Sequence, residues 1–188
     1  MTKPLQILGI VGSLRSRSLN KTLMLRAQSL APSGLSIQVH DIADLPMFNQ
    51  DLETPAFPDS VQRLHAAVRA ADGILLAVPE YNHAPTAVLK NTLDWMSRPA
   101  GRHTAIGKPV AMIGTATGMA GTLRAQAALR PTLHVLGMFP LSGADCTIPH
   151  SGQHFDAEGE LLGDSADLAL GRTLDAFHQW IVRLQPRG

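Results

Sequence analysis

The chain has 188 residues, a formal net charge of +1, 45% hydrophobic residues and one cysteine. That length suits a single domain spanning 1–188, with about two-thirds of its surface buried on folding. A near-neutral charge gives no global field for nucleic acid or an anionic membrane, and no apolar run nears the roughly 20 residues of a membrane span.

Cys146 has no partner for an internal disulfide, which fits a reducing compartment. One early Lys and a short apolar run do not make a signal peptide, so a cytoplasmic protein is expected. Leu5 to Val11 is short, apolar and β-branched, as a buried strand is. A polar turn from Gly12 to Asn20 follows, and Leu19, Leu23, Ala27 and Leu30 then fall along one helical face. Strand, tight turn and helix N-terminus in that order make an anion site, because the first helical turn presents unpaired N–H groups and a partial positive charge. Ser13, Ser18 and Asn20 add short polar donors, and Arg15 adds a planar guanidinium suited to phosphate oxygens.

The kind of phosphate narrows by elimination. Gly9 and Gly12 do not complete a Gly-x-Gly-x-x-Gly fingerprint, and Gly101 to Lys108 is one residue too long for a Walker loop. Hydroxyls and an Arg without crowded glycines suit a terminal monophosphate. An ordinary capped helix after a polar turn carries the same residue types.

Ala31 to Gly34 reads as a turn and Leu35 to His40 as a second strand. The long loop 41–58, with Pro46, Pro55 and Pro58, has the length that usually signals binding or subunit contact. Ser60 is placed to cap a helix through Ala71, with Val61, Leu64, Ala67 and Val68 inward. Gly73 to Val78 is a fully apolar third strand. Pro79 to Pro85 is then a turn, with Pro85 suited to the first turn of a helix running to about Met96. On that helix Leu89, Leu93 and Met96 form one stripe while Val88 and Trp95 lie on another, a surface wide enough to cover the sheet and a second subunit, or simply a broad core.

Lys108 to Thr115 predicts a fourth strand, followed by a hydroxyl- and glycine-rich turn through Gly121. Pro131 predicts a kink or break near Leu129 in the next helix. Phe139 to Ile148 holds a weak fifth strand, 150–163 is irregular, and Asp164 to Leu184 closes the chain as an amphipathic helix carrying Leu168, Leu174, Phe177, Trp180 and Ile181. His150 and His154 are four apart, but Pro149 and Gly152 argue against a helix and no third ligand is evident, so no metal is expected.

Strands alternating with helices predict an α/β fold: a three-layer, doubly wound, five-stranded parallel sheet. In the flavodoxin-like strand order 2-1-3-4-5, the loops after strands one, three and four meet in one crevice. The switch point between strands one and three is where such folds hold a flavin mononucleotide.

On these residues the chain resembles the NADPH-dependent FMN reductase family, the flavodoxin-like group that includes quinone, chromate and azo-dye reductases. The resemblance is carried by Gly12-Ser13-Leu14-Arg15 with Ser18 and Asn20, and by Leu45-Pro46 with Asn49 to Leu52. Pro79-Glu80-Tyr81-Asn82 extends it, with Leu89-Lys90-Asn91 and Asp94-Trp95, as does Gly118 to Arg130 with its Arg-Ala-Gln run at 124–126. It implies a non-covalently held FMN, with Ser13, Arg15, Ser18, Leu19 and Asn20 at the phosphate and ribityl chain. Pro79, Glu80, Tyr81, Asn82 and His83 would line the ring largely through backbone, with Thr115 and Gly118 from the fourth-strand loop.

Family members are typically homodimers or homotetramers with the flavin near the interface. NADPH or NADH would be the co-substrate and a quinone or similar small molecule the acceptor, in a ping-pong cycle needing no catalytic side chain. The alternative is a flavodoxin-like electron carrier without NAD(P)H turnover, although no acidic docking run is present. Two departures from the family pattern are Ala120 before Gly121, where a Gly-Gly pair is common, and Pro131.

Overall fold

A computed structural model of the chain describes residues 3–185. Its central sheet comprises β1 (Leu5–Val11), β2 (Leu35–His40), β3 (Gly73–Ala77), β6 (Pro109–Thr115), β7 (Phe139–Pro140) and β8 (Cys146–Ile148). Between β3 and β6 lies a two-stranded hairpin, β4 (Glu80–Tyr81) and β5 (Ala84–Pro85). The helices are α1 (Leu19–Ser29), α2 (Asp59–Ala70), α3 (Ala87–Met96), α4 (Leu123–Val135) and α5 (Asp164–Leu184).

All pairings in the main sheet are parallel, in the order β2-β1-β3-β6-β7, with β8 also on β6. This is the doubly wound flavodoxin-like order. Alternation along each strand divides the core between the two faces. Leu8, Ile10, Ile74, Leu76, Val110 and Met112 pack with α2, α3 and α4, while Ile7, Val11, Leu75, Ala77, Ala111 and Ile113 pack with α1 and α5. A strand buried on both sides must be apolar at every position, which is why these segments read as continuous hydrophobic runs.

The expected fifth strand is split in two. Gly143, at φ +80°, and the residues around it interrupt the pairing between Pro140 and Cys146, and both pieces join β6. Pro131 does not break α4, which runs on to Val135. Pro131 and Ala127, whose carbonyl loses its helical partner, both lie on the exposed side of α4, where the missing hydrogen bond costs less than it would in the core.

Pro85 belongs to the hairpin instead of the helix. α3 begins at Ala87, and Thr86 caps it by accepting from the Leu89 N–H at 3.2 Å. α2 likewise starts one residue before Ser60, with Pro58 at its cap position and Ser60 buried. On α5, Leu168 is exposed while Leu174, Phe177 and Ile181 are buried.

The second stripe of α3 is covered from within the chain. Trp95 is fully buried, with its ring centroid 4.9 Å from Phe48 and 6.5 Å from Phe57. Its indole N–H donates to the Pro46 carbonyl at 2.8 Å. Asn91 accepts from the Phe48 N–H at 2.7 Å and donates to the same Pro46 carbonyl at 3.0 Å. The long loop thus folds back on α3, and the width of the apolar surface does not by itself call for a second subunit.

Candidate functional site

The three loops singled out by sequence lie side by side because their strands do. Val11 pairs with Ala77 and Ala77 with Ile113, so β1 and β3 finish at one level and β6 runs two residues further, to Thr115. Two further ties draw the loops together. The Thr86 hydroxyl donates to the Gly12 carbonyl at 2.7 Å, and a Cβ on Gly12 would stand 2.9 Å from Pro79 and 3.0 Å from Leu89. Only a glycine lets the first turn sit so close to the third-strand loop.

The second tie is Asn20. Its amide donates to the Thr115 carbonyl and accepts from the Thr115 N–H, both at 3.0 Å, across 95 positions of sequence. Both ends of the buried Asn20 amide are engaged there, so it acts as a clamp between the first and fourth-strand loops. Thr115 is also buried, its hydroxyl donating to the Ile148 carbonyl at 3.0 Å.

Within the first loop residues 14–17 face outward, while Ser18 is buried. Ser18 is the N-cap of α1, accepting from the Lys21 N–H at 3.3 Å. No acidic residue occupies the first turn of α1. Among the described residues Arg15, Arg17 and Lys21 form no ion pair, and Arg15 is exposed. Ser13 and Leu19 are half-buried beside them. A helix N-terminus with no acidic residue in its first turn, hydroxyls and a guanidinium outside any ion pair among the described residues fit a phosphate monoester. A cavity of about 360 Å³ opens on the β2 side of this loop, lined by Ser13, Arg15, Ser16, Lys21, His40 and Asp41 among others. It does not reach residues 79–83. Burial lowers the His40 pKa despite the nearby Asp44 and Asp41 carboxylates, which pull it up.

In the third-strand loop Pro79 is buried, while Tyr81, Asn82 and His83 are exposed at the tip of the hairpin. Asn82 and His83 adopt positive φ, 52° and 63°, the paired left-handed turn that tight hairpins require. Glu80 turns inward: its carboxylate accepts from the Ala125 N–H at 3.0 Å and from Arg124 at 3.3 Å, with His83 Nδ1 3.5 Å away. Burial raises the Glu80 pKa most strongly of any single influence, but the Ala125 N–H, Arg124 and His83 together bring it below the ordinary value. Gly118 is exposed on the fourth-strand loop and its carbonyl accepts from Gly121 at 3.1 Å.

Thr86 and Ala125 escaped the sequence reading of the site. Thr86 was visible in principle as a Thr three residues before Leu89 at a helix start, whereas nothing local marks a backbone N–H on α4 as a partner of Glu80.

The family model for NADPH-dependent FMN reductases matches residues 5–153. The chain belongs to that family. It is 42% identical over 185 residues to an NAD(P)H-dependent FMN reductase of Pseudomonas aeruginosa, covering 98% of this chain and 100% of the relative. A 2-hydroxy-1,4-benzoquinone reductase of Burkholderia is 38% identical over 177 residues, covering 94% and 96% of the two chains. Among solved structures, the flavoenzyme FerB of Paracoccus denitrificans, an NAD(P)H:(acceptor) oxidoreductase, superposes with a TM-score of 0.86 at 36% identity, covering 95% of this chain and 98% of FerB. Membership of this FMN reductase family makes the chain a flavin-dependent oxidoreductase, with FMN as cofactor and NAD(P)H as co-substrate.

Proposed function

We propose that this reductase transfers two electrons from NADPH or NADH, by way of FMN, to a quinone or a related small acceptor. In balance, NAD(P)H, a proton and a quinone become NAD(P)⁺ and a hydroquinone. The observation that carries the reading is the cation- and hydroxyl-bearing loop at 13–18, tied to the fourth-strand loop by Asn20 on Thr115 and to the third-strand loop by Thr86 on the Gly12 carbonyl. Ser13, Arg15 and Ser18 with the α1 N-terminus would hold the phosphate, Leu19 would pack beside the ribityl chain, and Asn20 would fix the loop. Pro79 to His83, Thr115 and Gly118 would border the ring. FMN held by these residues would supply the hydride and two-electron chemistry, leaving position and access to the protein. We propose a ping-pong cycle, in which NAD(P)⁺ leaves before the acceptor binds.

We also propose a homodimer or homotetramer. Met47, Phe48 and Leu52 of the long loop are exposed, as are Tyr81, Met119 and Leu123 beside the crevice, an apolar set that supports a second copy there. A cytoplasmic location is supported by the lone, buried thiol of Cys146.

Anaerobic mixing of the FMN-loaded protein with NADPH tests the electron path. Rapid loss of the yellow absorbance, reversed on adding 1,4-benzoquinone, is expected. Colour that persists through minutes with NADPH and with NADH would favour an electron carrier instead. Sedimentation of the same sample should give at least twice the 20.1 kDa chain mass.

A further inference from the structure

α4 starts without the usual means of satisfying its own N-terminus. Thr122, at its cap position, makes no side-chain bond to the helix N–H groups, and no acidic residue stands in the first turn. The Thr122 hydroxyl accepts instead from the Gln126 amide at 2.9 Å. Four N–H groups at a helix start need partners, and a negative charge there is favoured by the helix dipole. The Leu123 N–H donates to the Ala120 carbonyl at 3.1 Å, and a partner for one further N–H, together with the negative charge, comes from 45 residues away. The Glu80 carboxylate takes the Ala125 N–H at 3.0 Å and the Arg124 guanidinium at 3.3 Å, and its side chain is only 7% exposed.

The hairpin that carries Glu80 has equal need of that contact. Its ladder holds two residue pairs, Glu80 with Pro85 and Tyr81 with Ala84, and Pro85 has no N–H to donate. A two-stranded hairpin of this size is not stable by itself in water.

We propose that Glu80 is a positioning residue for the flavin ring, capping α4 from outside the helix and thereby fixing the 80–85 hairpin against the loop that follows Thr115. The inference rests on the FMN reading above, because only then does the hairpin backbone border the ring. Glu80 itself need not meet the cofactor. Its carboxylate faces α4, and its effect reaches the crevice through the hairpin backbone and the Asn82–His83 turn.

The test pairs E80A with E80Q and reads three quantities. Amide exchange at Ala125 in the apoprotein should quicken in E80A and stay slow in E80Q, whose amide oxygen still accepts from that N–H. FMN affinity, from quenching of flavin fluorescence, should fall at least about tenfold in E80A, the expected loss of one hydrogen bond to a charged group, and by less in E80Q. The visible circular dichroism of bound flavin should change in E80A, because the ring environment shifts.

R124A removes a half-exposed partner and serves if E80A does not fold; an altered flavin dichroism spectrum is expected there too. Unchanged Ala125 exchange in E80A, or FMN affinity within twofold of wild type with an unchanged dichroism spectrum, overturns the inference alone. A wild-type apoprotein that takes up no FMN overturns the cofactor reading and this inference with it.

Discussion

At the scale of single residues, charge and burial decide which polar groups are free to act. Arg15 stands exposed near Ser13 and Ser18 and makes no ion pair among the described residues, so its guanidinium is available to an incoming phosphate. Arg15→Ala should weaken FMN binding by roughly 10- to 100-fold, the value of a charge-assisted hydrogen bond. Fluorescence titration of the apoprotein measures it, and an affinity within twofold of wild type would remove Arg15 from the cradle. Cys146 is the opposite case. Burial pushes its thiol up to about 12, so it stays protonated and unreactive near pH 8. A thiol reagent at that pH should label the folded protein negligibly and one group per chain in denaturant; fast labelling of the native state would contradict this placement.

At the scale of elements, close approach matters more than propensity. Gly114 near the end of β6 leaves no room for a side chain: a Cβ would stand 2.2 Å from the Thr122 hydroxyl and 2.5 Å from the Val78 carbonyl. Gly114→Ala must therefore push the start of α4 away from β3, at a cost of about 1–3 kcal/mol. Urea unfolding should show the midpoint falling with little change in slope, and an unaltered midpoint would mean the neighbours yield freely. The same tight geometry explains where sequence reading succeeded and failed. Strand positions in β1, β3 and β6 were legible because burial on both faces demands apolar residues throughout. The continuity of α4 through Pro131 was not, since the cost of a proline depends on whether water reaches the carbonyl it leaves bare. Nor was the cover over Trp95, which comes from Phe48 and Phe57, about forty positions upstream.

At the scale of the whole molecule, the cofactor and the fold are thermodynamically linked. A ligand that binds only the native state, at a free concentration 100 times its dissociation constant, adds about 2.7 kcal/mol. For a chain of this size that raises the melting midpoint by about 5–11 °C. FMN should produce such a rise in apoprotein, and riboflavin, which lacks the phosphate, a clearly smaller one. Equal shifts from both would place the binding energy in the ring loops and leave the 13–18 loop without its role.

The positions of the central strands and helices, the polar turn after β1 and the family were legible in the chain alone, because hydrophobic period, turn chemistry and short motifs are local properties that survive without a fold. Tertiary structure alone decided what the polar side chains do. Asn20, read as a donor to phosphate, has both ends of its amide on Thr115. Glu80, read through its backbone, turns its carboxylate onto the first turn of α4. A hydrogen bond needs its two partners within about 3 Å, and which distant groups come that close is fixed only when the sheet and its helices have packed.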